Sequence, residues 1–123
     1  MLKLTPAQRA EYRIGMARRA AESQRRRTEH LARAWEVANA AAALLRTRYG
    51  ATRVVIFGSL AQPDRFHARS DVDLAVWGID ERSYLRAVAD VTALDAHLLV
   101  DLVRVEEAAP SLLAVIEQEG QEL

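Results

Sequence analysis

The chain contains no cysteine. That excludes disulfides and any thiolate metal site, and it fits a protein of the reducing cytoplasm. No apolar run is long enough for a membrane span, which needs about 20 consecutive apolar residues. The N-terminus is polar and charged, so no secretory signal pattern is read there. Proline and glycine are scarce, 3 and 5 in 123 residues. Between Pro6 and Arg48 only Gly15 weakens a helix, at about 1 kcal/mol relative to alanine. No internal repeat or low-complexity linker divides the chain. Its length implies one domain that buries about two-thirds of its unfolded surface.

Net charge is also absent: 17 basic and 17 acidic residues cancel. The balance hides an asymmetry. Residues 1–53 carry 12 Lys/Arg and 4 Asp/Glu, a net of +8, and residues 54–123 carry 5 and 13, a net of −8. The bland reading is a basic helical face beside an acidic body. The sharper ones are an arm for nucleic acid or an acidic partner, and a contact between the arm of one copy and the body of another.

Thr5-Pro6-Ala7-Gln8 has the form of a helix start, with a capping threonine, proline at the first helical position and Gln8 closing a capping box. Alanine and arginine then predict either one very long helix to Tyr49 or two helices meeting near Ser23–Thr28. Leu31, Ala34, Trp35, Ala38, Ala41, Ala42 and Leu45 recur at spacings of three and four and form a core-facing stripe. Tyr12, Met16, Ala20 and Ala21 make a thinner stripe, suited to a symmetry mate or a partner. Arg25-Arg26-Arg27 reads as a solvated helix face more readily than as a nucleic-acid site. Gly50 is a helix stop.

Three apolar segments read as strands: Arg53 to Phe57, Asp71 to Trp77, and His97 to Val105. Helices are expected from about Arg82 to Ala96, with Asp80 and Glu81 suited to its N-terminus, and from Pro110 to about Glu119. The fold class is therefore α+β: a small mixed sheet of about three core strands with helices packed on it, preceded by a long N-terminal helical segment.

The chemistry-bearing stretch is Val54 to Val76. The first strand ends in Gly58-Ser59, whose backbone N–H groups and hydroxyl suit a phosphate. The second begins Asp71-Val72-Asp73, which puts two carboxylates on one face about 7 Å apart. Such a pair repels itself unless a cation intervenes, and hard divalent ions prefer oxygen ligands. Arg69, adjacent to Ser70-Asp71, is the best placed basic residue for a phosphate. His67 reads as a loop histidine, and Glu106 as a loop charge. Asp101 stands alone in the apolar run Val100-Asp101-Leu102-Val103 and needs a partner if buried.

Phe57-Gly58-Ser59-Leu60-Ala61, then Phe66-His67 and Ser70-Asp71-Val72-Asp73-Leu74-Ala75-Val76, resembles the nucleotidyltransferase superfamily that includes DNA polymerase β, and within it the minimal nucleotidyltransferase (MNT) branch. The similarity runs from Val54 to Leu123. Eleven residues, Leu60 to Ser70, separate the serine from the first aspartate, where many members have ten. The resemblance implies a catalytic and metal-binding set of Asp71, Asp73 and Asp101, with Gly58, Ser59, Arg69 and Ser70 on the nucleotide phosphates. It also implies ATP as substrate and two Mg²⁺ ions. Minimal members often begin nearer Leu31, which divides the chain into an N-terminal helical extension, 1–30, and a nucleotidyltransferase domain, 31–123.

The expected activity is transfer of a nucleoside monophosphate, AMP by resemblance, to a hydroxyl. The chain has little room for an acceptor-binding domain, so the acceptor belongs to another protein. The resemblance names a HEPN-domain toxin, adenylylated on tyrosine, with this chain as its antitoxin. The alternatives are transfer to a small molecule, or a catalytically silent module that neutralises a partner through its basic helix. The N-terminal helix is a surface for a second copy or a partner, nucleic acid is a less favoured ligand, and no membrane association is expected.

Overall fold

The computed structural model describes residues 3–123. Helix α1 spans Pro6–Tyr49 without a break, 44 residues, about 66 Å at 1.5 Å per residue. The continuous form is therefore the one adopted, and the chain does not turn between Ser23 and Thr28. Its start is the predicted capping box: the Gln8 N–H donates to the Thr5 hydroxyl at 3.1 Å, and the Thr5 N–H to the Gln8 side chain at 2.8 Å. Gly50 ends the helix in a left-handed conformation.

The two halves of α1 have different surroundings. Its C-terminal half buries Ala34, Val37, Ala38, Ala41, Ala42 and Leu45, which is the expected stripe with Val37 added. Leu31 and Trp35 pack at its margin. From Pro6 to Arg26 no residue is buried, and Tyr12, Ile14 and Met16 are at least half exposed.

Four strands form one mixed sheet: β1 (Arg53–Phe57), β2 (Val72–Trp77), β3 (Val100–Arg104) and β4 (Gln121–Glu122), in the order β3-β2-β1-β4. β1 runs antiparallel to both β2 and β4, and β2 runs parallel to β3. The crossover between β2 and β3 is helix α2 (Tyr84–Thr92). Alternation divides the sheet. Val54, Ile56, Leu74, Val76 and Leu102 face α1 and α2. Val55, Phe57, Ala75 and Val103 face helix α3 (Pro110–Glu119).

Three boundaries depart from the sequence reading. α2 is shorter than Arg82–Ala96: a 3-10 turn, Glu81–Ser83, precedes it, and it ends at Thr92. The Asp95 carboxylate accepts the His97 N–H at 2.8 Å and pairs with Arg33 at 2.7 Å, which fixes a turn where the helix would have continued. The third strand begins at Val100, not His97. Leu98 is buried and Leu99 exposed, and the Leu99 carbonyl meets the ladder by accepting the Val72 N–H. The fourth strand is absent from the sequence reading because two polar residues carry no period. Gly120 permits it: a Cβ there would lie 2.3 Å from the Ile116 carbonyl oxygen and 2.4 Å from Val55 Cγ1. Arg53 then ties this edge down by pairing with Glu117 and Glu122. Asp80 caps the 3-10 turn ahead of α2, not α2 itself, by accepting the Arg82 N–H.

Candidate active site

Phe57 is in register with Asp73, and Asp73 with Asp101. One row across three strands thus puts the end of β1 beside two carboxylates. Asp71 stands just ahead of β2 and shares the Asp73 face by alternation. α3 covers this face further along, against Val55, Ala75 and Val105. The carboxylate end stays open: Asp71 and Asp101 are exposed and Asp73 is half-buried. All three sequence-predicted aspartates therefore gather at one sheet end.

The electrostatics there are those of a cluster lacking its counter-charge. No described basic side chain pairs with Asp71, Asp73 or Asp101. Burial, and after it the charges of Asp101 and Asp71, push the Asp73 carboxyl up to about 6. The Tyr84 phenol is raised as well, by burial and then by Asp101 and Glu107, and its hydroxyl donates to the Leu102 carbonyl. Asp101 thus links the carboxylate row to a groove of about 330 Å³ along β3, lined by Tyr84, Leu102, Arg104, Glu107 and Leu112.

Gly58 leaves β1 with φ +70°, and a Cβ on it would sit 2.3 Å from Asp73 Oδ2. Only glycine combines that backbone with that approach. Ser59 lies in a 3-10 turn, Gly58–Ala61, anchored by fully buried Leu60.

The segment from Gln62 to Ser70 returns the chain to β2. It carries a 3-10 turn, Pro63–Arg65, and buried Phe66. Arg65 and Arg69 are exposed. Ser70 is only 6% exposed, and its hydroxyl accepts the His67 N–H at 3.0 Å, so this serine shapes the loop immediately before Asp71. His67 is a loop histidine as expected, its Nδ1 accepting the Arg69 N–H. The Glu106 carboxylate accepts the Gly78 N–H, in keeping with a loop charge.

Two residues at this site escaped the sequence reading. Arg25 and Arg26 are exposed, but Arg27 turns inward and donates to the carbonyls of Phe66 and Pro63. One turn on, His30 stacks on Phe66 and bonds the Ser70 carbonyl. Their signal was positional: both lie where the stripe that begins at Leu31 first meets the body.

Among the described residues no three carboxylate or imidazole side chains are drawn together tightly enough to hold a metal ion by themselves. The donor set nevertheless fits Mg²⁺. That ion is commonly held by one or two carboxylates together with substrate phosphates, without an all-protein cage. A carboxyl raised by burial and then by two neighbouring acids is the kind of group such a cation relieves. Among the described residues no helix is long and apolar enough to cross a membrane.

The polymerase beta nucleotidyltransferase family model matches residues 40–123. Among solved structures, a toxin–antitoxin complex with AMP-PNP holds a chain 28% identical to this one, at TM-score 0.57 over 68% of this chain and 69% of that one. A mutant of the MntA toxin–antitoxin complex holds one 26% identical, at TM-score 0.56 over 69% of each. A third structure, a tri-AMPylated Shewanella oneidensis HEPN toxin in complex with its MNT antitoxin, matches at 23% identity and TM-score 0.54 over 72% of this chain and 70% of that one, a likeness of fold. No curated protein matches the chain.

Proposed function

Since this chain belongs to the polymerase β nucleotidyltransferase family, we propose that it moves a nucleoside monophosphate from a nucleoside triphosphate, ATP in our reading, to a tyrosine hydroxyl of a HEPN-type toxin, and so acts as the antitoxin of that partner in the cytoplasm. The observation that carries this is the Phe57–Asp73–Asp101 row with the Gly58-Ser59 turn at its edge. A Gly-Ser turn and three carboxylates without described basic partners, on one open sheet end, suit phosphoryl chemistry. The AMP-PNP bound in the complex of the 28% identical chain supports an adenine nucleotide, and the toxin in that complex supports a toxin partner.

In this reading Asp71, Asp73 and Asp101 would hold two Mg²⁺ ions together with the substrate phosphates, and the ions would supply charge neutralisation on the triphosphate and a lowered pKa for the acceptor hydroxyl. The Gly58 and Ser59 N–H groups and the Ser59 hydroxyl bind the outgoing phosphates, with Arg69 alongside and Ser70 setting the loop that carries it. Asp101 takes the acceptor's proton. The acceptor oxygen forms a bond to the α-phosphorus, the bond to the leaving phosphate oxygen breaks, and pyrophosphate departs. The groove beside Asp101 gives the acceptor its route in.

Residues 1–30 serve as the partner-docking extension and 31–123 as the catalytic domain. The exposed Tyr12, Ile14 and Met16 support this, since no described part of the chain covers them. Ile14→Glu with Met16→Glu is expected to lower transfer to the partner about tenfold or more and to leave nucleotide affinity and Tm unchanged. Pull-down and calorimetry check both halves.

The direct test incubates the purified chain with Mg²⁺ and each labelled nucleoside triphosphate, with and without a HEPN-type partner protein, and weighs both chains by mass spectrometry. A gain of one AMP or more on the partner is expected. A tight complex with no mass gain under any nucleotide would move the reading to a binding module.

A further inference from the structure

Helix α1 is fixed to the sheet from Ala34 onward. Just before that point it reaches across to the loop that carries the exposed Arg65 and Arg69 and ends at Asp71. Arg27 donates through Nε to the Phe66 carbonyl at 2.8 Å and through Nη2 to the Pro63 carbonyl at 2.5 Å. His30 Nε2 lies 2.8 Å from the Ser70 carbonyl oxygen. A carbonyl only accepts, so this nitrogen carries the proton. The His30 ring also stacks on Phe66, with centroids 5.2 Å apart and planes 25° from parallel.

The placement of these bonds is informative. The loop's own backbone bonds are short-range turns, Arg65 to Gln62, Phe66 to Pro63 and Ser70 to His67. Three of its carbonyls, those of Pro63, Phe66 and Ser70, are held from 36 to 40 residues away, by one rigid helix. The Ser70 carbonyl belongs to the peptide that leads into Asp71. Gripping it sets the direction in which the first carboxylate leaves the loop. The fork of Arg27 sets the other end of the loop, beside Arg65.

We propose that Arg27 and His30 are positioning residues, which hold the Pro63–Ser70 loop so that Arg69 and Asp71 stand where a nucleoside triphosphate binds. This rests on the nucleotidyltransferase reading above. The helix that docks the partner and the loop that meets the nucleotide are then one mechanical unit.

The test uses the full chain with Mg-ATP, with a HEPN-type toxin as acceptor for the kinetic constants. Arg27→Ala is expected to raise the KM and the Kd for ATP about tenfold, with kcat falling less, and to speed tryptic cleavage after Arg65 and Arg69. His30→Phe keeps the stacking but loses the donor, and is expected to weaken ATP binding. His30→Gln, whose side-chain amide can donate to the same carbonyl, is expected to recover most of it. The exposed neighbour change Arg26→Ala is expected to bind ATP as wild type does. If Arg27→Ala and His30→Phe lower Tm but bind ATP as wild type does, the two residues are packing alone and the proposal is overturned. It is overturned equally if His30→Gln is no better than His30→Phe. A wild-type chain that binds no nucleotide at all would instead overturn the reading beneath.

Discussion

Asp73→Asn is expected to lower nucleotidyl transfer by about three orders of magnitude, the scale on which single charge-stabilising groups act in enzyme sites, and yet to make the metal-free chain more stable at neutral pH. Both effects come from one position. Asp73 sits in the strand row between Phe57 and Asp101, half-buried and without a described basic partner. Burial and the charges of Asp101 and Asp71 raise its carboxyl from 3.8 to about 6. A raised acid binds a proton more tightly folded than unfolded. Its contribution to stability is therefore full below about pH 4, is lost as pH rises through about 6, and stays lost above that. The whole shift corresponds to about 3 kcal/mol. Half-exposure screens it, and about 1 kcal/mol is the working figure.

Asp90 and Asp95, whose carboxyls are lowered chiefly by hydrogen bonds to Tyr49 and Arg33, act in the opposite direction, and their stabilisation is lost at low pH. The difference between wild type and Asp73→Asn removes them from the comparison. Urea unfolding at pH 4, 5.5 and 7 is expected to show the variant gaining on wild type by about 1 kcal/mol across that range. Mg²⁺ at pH 7 is expected to raise the Tm of wild type and to leave the variant nearly unmoved. A variant that tracks wild type at every pH would mean that Asp73 feels neither burial nor its neighbours.

How much of this was legible beforehand depends on the kind of signal. Thr5, Pro6 and Gln8 specify a helix start through their own hydrogen-bonding groups, so a local motif sufficed and the capping box is as expected. The stripe from Leu31 to Leu45 is set by a period, which survives folding unchanged. The aspartate row was half local and half not. Asp71 and Asp73 share a face by alternation alone, whereas their meeting with Asp101 depends on a parallel register 28 residues away, and only the family resemblance supplied it. The ends of α2 and β3 were overestimated because Leu94 to Leu99 continues an apolar pattern, while the side chain of Asp95 settles the backbone. Arg27 and His30 were illegible for a plainer reason. A cation in an arginine run looks solvated until the fold brings carbonyls to it.

Gly58→Ala is expected to reduce transfer about a hundredfold while costing far less in stability. At φ +70° an alanine bears a backbone strain of about 1 kcal/mol or more, which lowers Tm by about 5 °C for a domain of this size. The added methyl is the larger matter for function. Its carbon would fall 2.3 Å from Asp73 Oδ2 and 3.2 Å from Asp73 Cγ. The carboxylate is the free end of a short side chain, so it rotates away at modest cost to folding. It then leaves the row it shares with Asp101. Misplacing a reacting or ligating group by about 1 Å costs on the order of 10² in rate, which sets the expected loss. If the damage travels through Asp73, it vanishes when Asp73 is already neutralised. In an Asp73→Asn background, Gly58→Ala should remove little further activity, although its stability cost remains. A double-mutant cycle in transfer rate and in Tm separates the two. Additive losses in rate would mean that Gly58 acts by itself, through the backbone N–H we propose for the phosphates, and that its closeness to Asp73 is incidental.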